Sequence, residues 1–212
     1  MYLSRIILDT NKPETAQAIY RPARFHGAIE SCFSGGRAHA LWRLDLDGHL
    51  GCMYILSHEI PDLSRFHRDF GVECAEPGTV PYDGFLKSLQ PDRLYHFRIT
   101  VSPVVKIENK RIPMVFTGRS VHGNASSWLA GRLNSRGFFV EKDDFMLVGH
   151  RYVRMKRNSN HEGGGYTISY TEATFDGVLR IADLAAATEM LTKGLGSEKA
   201  FGCGLMTLMP AE

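Results

Sequence analysis

Residues 38–57, AHALWRLDLDGHLGCMYILS, constrain the fold more than any other stretch of the chain. Two runs of alternating apolar residues flank Asp47-Gly48, and an Asp-Gly pair so placed marks a tight hairpin, whose turn needs the left-handed backbone these residues tolerate. A lone hairpin is marginal in water and must cover one face, so the flanking sequence has to supply partners. Upstream, YRPARFHGAIESCF (20–33) spaces Phe25, Ile29, Cys32 and Phe33 along one helical face, with Pro22 suited to the first turn. Downstream, PDLSRFHRDFG (61–71) puts Leu63, Phe66 and Phe70 on one face and stops at Gly71. Outside these helices, MYLSRIILD (1–9) and RLYHFRITVSP (93–103) read as strands, giving the order strand, helix, strand, strand, helix, strand.

The second half repeats this order without repeating the sequence. SPVVKIENKRIPMVF reads as a hairpin around Glu108-Asn109-Lys110, and NASSWLAGRLNSRG as a helix with Trp128, Leu129 and Leu133 inward. FFVEKDDFMLVGHRYVRMKR and GYTISYTEATFDGVLRI are strands joined by the turn NSNHEGGG. ADLAAATEMLTKG is a helix capped by Asp183 and stopped at Gly194, and GLMTLM is the last strand. The chain is therefore expected to be α+β, with two tandem βαββαβ domains at 1–92 and 93–212.

Several function classes drop out early. No apolar run approaches the roughly 18 residues of a membrane span, and no signal peptide precedes MYLSRIILD. Cys32, Cys52, Cys74 and Cys203 form no CxxC and no zinc-ligand spacing, which favours free thiols in an intracellular protein. The nine histidines include no HExxH, so no metal site is expected, and no G-x-S-x-G elbow points to a serine hydrolase.

Charge is more telling once divided along the chain. The formal net charge of +2 separates into −3 over residues 1–92, +9 over 93–157 and −4 over 158–212. A basic segment of this kind is the footprint of a polyanion partner, because each neutralised phosphate releases counterions. Arginine supplies most of these cations, and its planar fork suits phosphate. Within the segment, HRYVRMKRN (150–158) carries Arg151, Arg154, Lys156 and Arg157. Alternation puts His150, Tyr152, Arg154 and Lys156 on one face. Such a ribbon is either a lysine-guarded edge strand or a grip for a nucleic-acid groove. Lys106, Lys110 and Arg111 form a second basic hairpin.

The tail GLGSEKAFGCGL sets Gly194, Gly196, Gly202 and Gly204 as two G-x-G pairs. A helix C-cap accounts for Gly194 alone, whereas paired glycines also let a backbone approach a ligand and present an anion-binding nest. The loop follows a helix rather than opening one, so it is neither a Rossmann nor a Walker loop. His26 lies about 75° of helical rotation from the middle of its helix's apolar face, on the shoulder of the stripe, and is followed by Gly27.

Taken together, MYLSRIILD, FHGAIESCF, HALWRLDLDG and GLGSEKAFGCGL resemble the CRISPR-associated CasE family from residue 2 to residue 209. The resemblance implies two ferredoxin-like (RRM-related) domains and a cytoplasmic endoribonuclease without a cofactor. Such an enzyme binds the stem-loop of CRISPR repeat RNA, cuts it to crRNA and remains with other subunits of the Cascade complex. It implies that His26, early in the first helix, is the main catalytic residue. Where the family commonly has a tyrosine three residues earlier this chain has Ala23, and the nearest tyrosine is Tyr20; a basic position five residues later is Ser31, while Ser34 fits a polar position. Cleavage by the RNA 2′-hydroxyl needs a proton carrier, which His26 supplies, and cations against phosphoryl charge, for which Arg24 and Arg21 stand near. The alternative is a non-catalytic RNA-binding subunit of the same fold.

Overall fold

The computed structural model describes residues 1–35, 38–108, 110–114, 120–157 and 166–211. The chain forms two compact units. The first comprises Met1–Leu89, Thr192–Gly194 and Lys199–Leu205, and the second comprises Gln90–Leu191, Leu195–Glu198 and Met206–Glu212.

In the first unit, β1 (Tyr2–Asp9) buries Ser4, Ile6 and Leu8, the alternate positions of a strand with one covered face. Two short helices follow, α1 (Pro13–Tyr20) and α2 (Ala23–Glu30), then the hairpin β2 (Leu41–Asp47) and β3 (Leu50–Ser57). Gly48 turns that hairpin with φ +57°, as the Asp-Gly signal requires. Next come α3 (Ser64–Phe70), β4 (Gly78–Pro81) and α4 (Asp83–Ser88). The sheet order is β2-β3-β1-β4, all antiparallel, which is the ferredoxin-like arrangement. Its helix-covered face closes on an aromatic cluster: the Phe25 ring lies 5.8 Å from Trp42, 6.2 Å from Phe66 and 5.2 Å from Phe70.

Three features depart from the sequence reading. The closing strand of the first sheet is β4, not residues 93–103; it pairs with β1 from Tyr2↔Pro81 to Arg5↔Gly78 and is pinned by a 2.8 Å bond between the Ser4 and Thr79 hydroxyls. The other two are α1 and α4, which the sequence pattern does not announce. α1 buries only Thr15 and Ala18, too small a stripe to show as an apolar period, and α4 buries no residue.

The second unit opens with β5 (Leu94–Val101), followed by the small hairpin β6 (Val104–Ile107) and β7 (Lys110–Pro113). Then come α5 (Ser120–Asn134), β8 (Phe138–Phe139), β9 (Phe145–Arg157), β10 (Tyr166–Ile181), α6 (Leu184–Lys193) and β11 (Met206–Pro210). The order β11-β5-β10, with β9 along the first part of β10 and β8 at its end, is the same arrangement again. The chain thus carries two ferredoxin-like folds, the second elaborated by β6–β7. The Asp183 cap is in place, its carboxylate accepting from the Ala185 and Ala186 N–H groups at 2.9 and 3.0 Å. Leu129 and Leu133 are buried as the helical spacing requires, but Trp128 is only half-buried, with the Arg132 guanidinium 5.6 Å from its ring centre.

Candidate active site and nucleic-acid interface

α2 is a rigid mount. Phe25 and Ile29 anchor it in the core, and the His26 N–H closes the first turn on the Pro22 carbonyl at 3.0 Å. Pro22 already has helical φ and ψ, so the sequence signal for a helix start holds within one residue. His26 is half-buried, on the shoulder of the stripe, and its imidazole makes no hydrogen bond or ion pair among the described residues. Gly27 is exposed, and a Cβ built on it would meet no atom within 4 Å. The helix therefore presents a half-buried imidazole beside a bare stretch of backbone.

The proposed helpers are distributed unevenly around His26. Arg24 is exposed and its guanidinium donates to the Gln17 Oε1 of α1 at 2.9 Å, which fixes it on the α1 side. Tyr20 ends α1 with 79% of its surface exposed, and Arg21 beside it is exposed too. Ser34 is exposed beyond the end of α2, and the Ser31 hydroxyl donates to the Ala28 carbonyl at 2.7 Å. The Cys32 thiol is pushed up to about 11 by burial and by the Asp62 carboxylate, which leaves it an inert core group. Among the described residues no three His, Cys, Asp or Glu side chains converge as metal ligands, and no helix is long and apolar enough to cross a membrane.

The glycine-rich tail lies where chain order alone does not put it. Residues 192–194 and 199–205 belong to the first unit rather than to the second half of the chain. The 3₁₀ turn Lys199–Phe201 packs against α2 and β2. All four glycines have left-handed φ, from +72° to +97°, but they serve different ends. A Cβ on Gly194 would sit 2.9 Å from both Leu41 methyls, and one on Gly202 would sit 2.8 Å from the Trp42 ring. Gly204 is buried. These three positions are filled by packing, whereas Gly196 is exposed with nothing within 4 Å. Arg43, 2% exposed, ties the tail down: it is bidentate to Asp45 at 2.9 Å and donates to the Leu205 carbonyl at 3.3 Å. Two charged residues of the loop had no place in the sequence reading. Glu198 takes φ +59° and burial pushes its carboxyl upward, and the Lys199 ammonium donates to the Lys193 carbonyl at 2.6 Å.

The basic ribbon is β9 paired with β10. Its register shifts between Thr174 and Phe175, where Val148 is the extra residue of a bulge. Tyr152 is 56% exposed, and His150 and Arg154 are exposed with it at alternate positions. Arg151 does not belong with them: its Nε and Nη2 bond the Glu172 carboxylate, which also accepts from the Tyr170 hydroxyl at 3.1 Å. Arg151 is thus ion-paired across the strand pair rather than standing with the exposed row of Tyr152 and Arg154. The side chains of Lys156, Arg157, Lys106, Lys110 and Arg111, and the turn at 158–165, lie outside the described residues.

Comparison with known proteins sharpens this picture. A family model described as "CRISPR associated protein" matches residues 1–210. The chain is 22% identical to the CRISPR-associated endoribonuclease Cse3 of Thermus thermophilus, over 99% of this chain and 100% of that one. A solved structure of Thermus thermophilus Cse3, bound to an RNA representing a pre-cleavage complex, is similar with a TM-score of 0.78 at 20% identity, covering 99% of this chain and 98% of that one. A chain of a CRISPR RNA-guided surveillance complex is similar with a TM-score of 0.63 at 18% identity, covering each chain fully.

Proposed function

The chain belongs to the CRISPR-associated protein family, in its CasE (Cse3) branch, and from that premise we propose that it is a cytoplasmic, metal-independent endoribonuclease acting on the stem-loop of CRISPR repeat RNA. The RNA 2′-hydroxyl attacks the adjacent phosphorus in line; the P–O5′ bond breaks, leaving a 2′,3′-cyclic phosphate on one product and a 5′-hydroxyl on the other. One proton leaves the attacking oxygen and one arrives at the departing oxygen, and His26 moves one of them. Arg24 and Arg21, close to His26 in the sequence, are the candidate cations to offset negative charge on the phosphoryl oxygens. The exposed face of β9, with Tyr152 and Arg154, holds the stem through phosphate and shape, because A-form RNA hides its base edges in a deep major groove. The product stays bound, and the protein serves as a subunit of the Cascade surveillance complex, as the likeness to a chain of such a complex supports.

One observation carries this reading: a half-buried imidazole without a hydrogen-bond or ion-pair partner among the described residues, on a helix locked by Phe25 and Ile29, beside exposed Gly27. The test is H26A with a stem-loop RNA in EDTA. Cleavage should fall by roughly 10²–10⁴-fold while the gel shift persists; a variant that cuts like the wild type moves the active site elsewhere. The second reading, an RNA-binding subunit that does not cut, draws on Ala23 and on the solvent-exposed Tyr20. Wild-type protein that shifts the RNA and never cleaves it would establish that reading.

A further inference from the structure

Resting on the cleavage reading, we infer that Gln17, in the last turn of α1, is a positioning residue: its side-chain amide holds the Arg24 guanidinium in place, still fully charged, for a phosphate of the RNA strand that lies across α2. The Arg24 Nη1 donates to the Gln17 Oε1 at 2.9 Å, and Arg24 forms no ion pair among the described residues. Other arginines are held differently. Arg43 faces Asp45, Arg98 faces Asp176, Arg151 faces Glu172, and Arg65 and Arg68 both reach Asp69. A carboxylate fixes a guanidinium and cancels its charge, whereas an amide oxygen fixes it and leaves the charge for an anion. The single bond to Gln17 also leaves most of the guanidinium N–H donors of Arg24 unused among the described residues.

Chain order sets this clamp beside the helix that bears His26. α1 ends at Tyr20 and α2 begins at Ala23, so only Arg21 and Pro22 separate the last turn of one from the first turn of the other, and the two helices pack together. Gln17 is itself anchored in that last turn, its backbone carbonyl accepting the Arg21 N–H at 3.0 Å. Arg24 and His26, two residues apart on α2, leave the helix about 200° apart around its axis. Phe25 and Ile29 fill the buried side between them, and Ala23 and Gly27, both exposed, form the solvent side. An RNA backbone crossing that low ridge meets the His26 imidazole on one flank and the Arg24 guanidinium on the other. The acids of the two helices, Glu14 and Glu30, do not cancel the charge. Glu14 forms no ion pair with Arg24, and the Glu30 carboxylate accepts the Ala38 N–H at 3.1 Å.

The experiment measures binding of a stem-loop RNA with 2′-deoxyribose on the 5′ side of the cut, in EDTA and over a range of salt, by wild type, R24A, Q17A, Q17E and the double variant Q17E/R24A. R24A should weaken binding roughly tenfold and reduce the salt slope by about 0.7–0.9. Q17E keeps an acceptor on a side chain of the same length but adds the cancelling charge, so it should approach R24A in both quantities. Q17A frees the arginine without neutralising it and should cost about threefold with the slope kept. In the R24A background Q17E should add little, because the group it acts on is gone. A purely structural pair predicts a different pattern, with Q17E binding as the wild type does and Q17A and R24A lowering Tm alone. That pattern, wild-type binding by Q17A, or a Q17E penalty as large without Arg24 as with it, overturns the role of Gln17 and leaves the cleavage reading standing. H26A, assayed alongside for cleavage of the all-ribose RNA, tests that reading separately: if it cuts normally, the cleavage reading fails whatever Gln17 does.

Discussion

Replacing Gly27 with Ala should separate stability from activity in one substitution. Gly27 lies inside α2 with ordinary helical backbone, is exposed, and has open space where a Cβ would go. A glycine there costs about 0.8–1.0 kcal/mol relative to alanine, since it loses more backbone freedom on folding and covers less of the helix. No neighbouring atom offsets that gain, so G27A should stabilise the protein by about 1 kcal/mol, which for a protein of this size is roughly 2–4 °C in Tm. The same methyl stands next to His26, where the RNA backbone must approach if the imidazole is to reach the 2′-hydroxyl or the 5′-oxygen. A misplacement of about 1 Å at a reacting group costs on the order of a hundredfold in rate, so cleavage should fall steeply while the protein becomes more stable. Thermal unfolding and single-turnover cleavage on the same preparation read both quantities. A variant that is more stable and cuts at the wild-type rate would refute the idea that RNA passes over Gly27; a variant that is less stable would refute the helical account of the position.

Three further outcomes follow from the geometry. G202A should destabilise the protein by about 2–4 kcal/mol, because alanine both strains a φ of +90° and drives its methyl into the Trp42 ring; thermal unfolding within a degree of wild type contradicts this. R154A should weaken RNA binding and flatten its salt dependence by roughly 0.9 in slope per lost phosphate contact, taking duplex DNA as the guide, with little effect on Tm. R151A should do the reverse, since among the described residues it leaves the largely buried Glu172 carboxylate with only the Tyr170 hydroxyl; equal effects of the two substitutions on binding would show that Arg151 is available to RNA after all.

These contrasts also show which parts of the structure a linear sequence displays. The β2–β3 hairpin is legible because its turn chemistry is local: Asp47-Gly48 demands a left-handed residue and Gly48 supplies it. β4 is hidden because Gly78–Pro81 has neither length nor alternation, and it becomes a strand by pairing with the free edge of β1. α1 is hidden because the two side chains it buries are a threonine and an alanine. His26 is legible from helical geometry and family resemblance together. The fate of Arg151 is not, because its neutralising partner Glu172 sits on the next strand and only the register brings the two together. The tail is least legible of all. Four glycines look like one ligand-binding motif, yet Leu41 and Trp42, far back in the chain, fill the space at two of them. Only Gly196 keeps an open approach.

The central claim is that the RNA supplies its own nucleophile and the protein supplies proton transfer and charge. A stem-loop RNA carrying a single 2′-deoxyribose on the 5′ side of the cut tests this most directly, in EDTA and at saturating protein. The substituted RNA should bind as the unmodified one does, because one hydroxyl among many contacts is lost, and it should remain intact for as long as the experiment runs. Cleavage of that RNA at a rate approaching the all-ribose substrate would contradict attack by the 2′-hydroxyl, and with it the role assigned to His26.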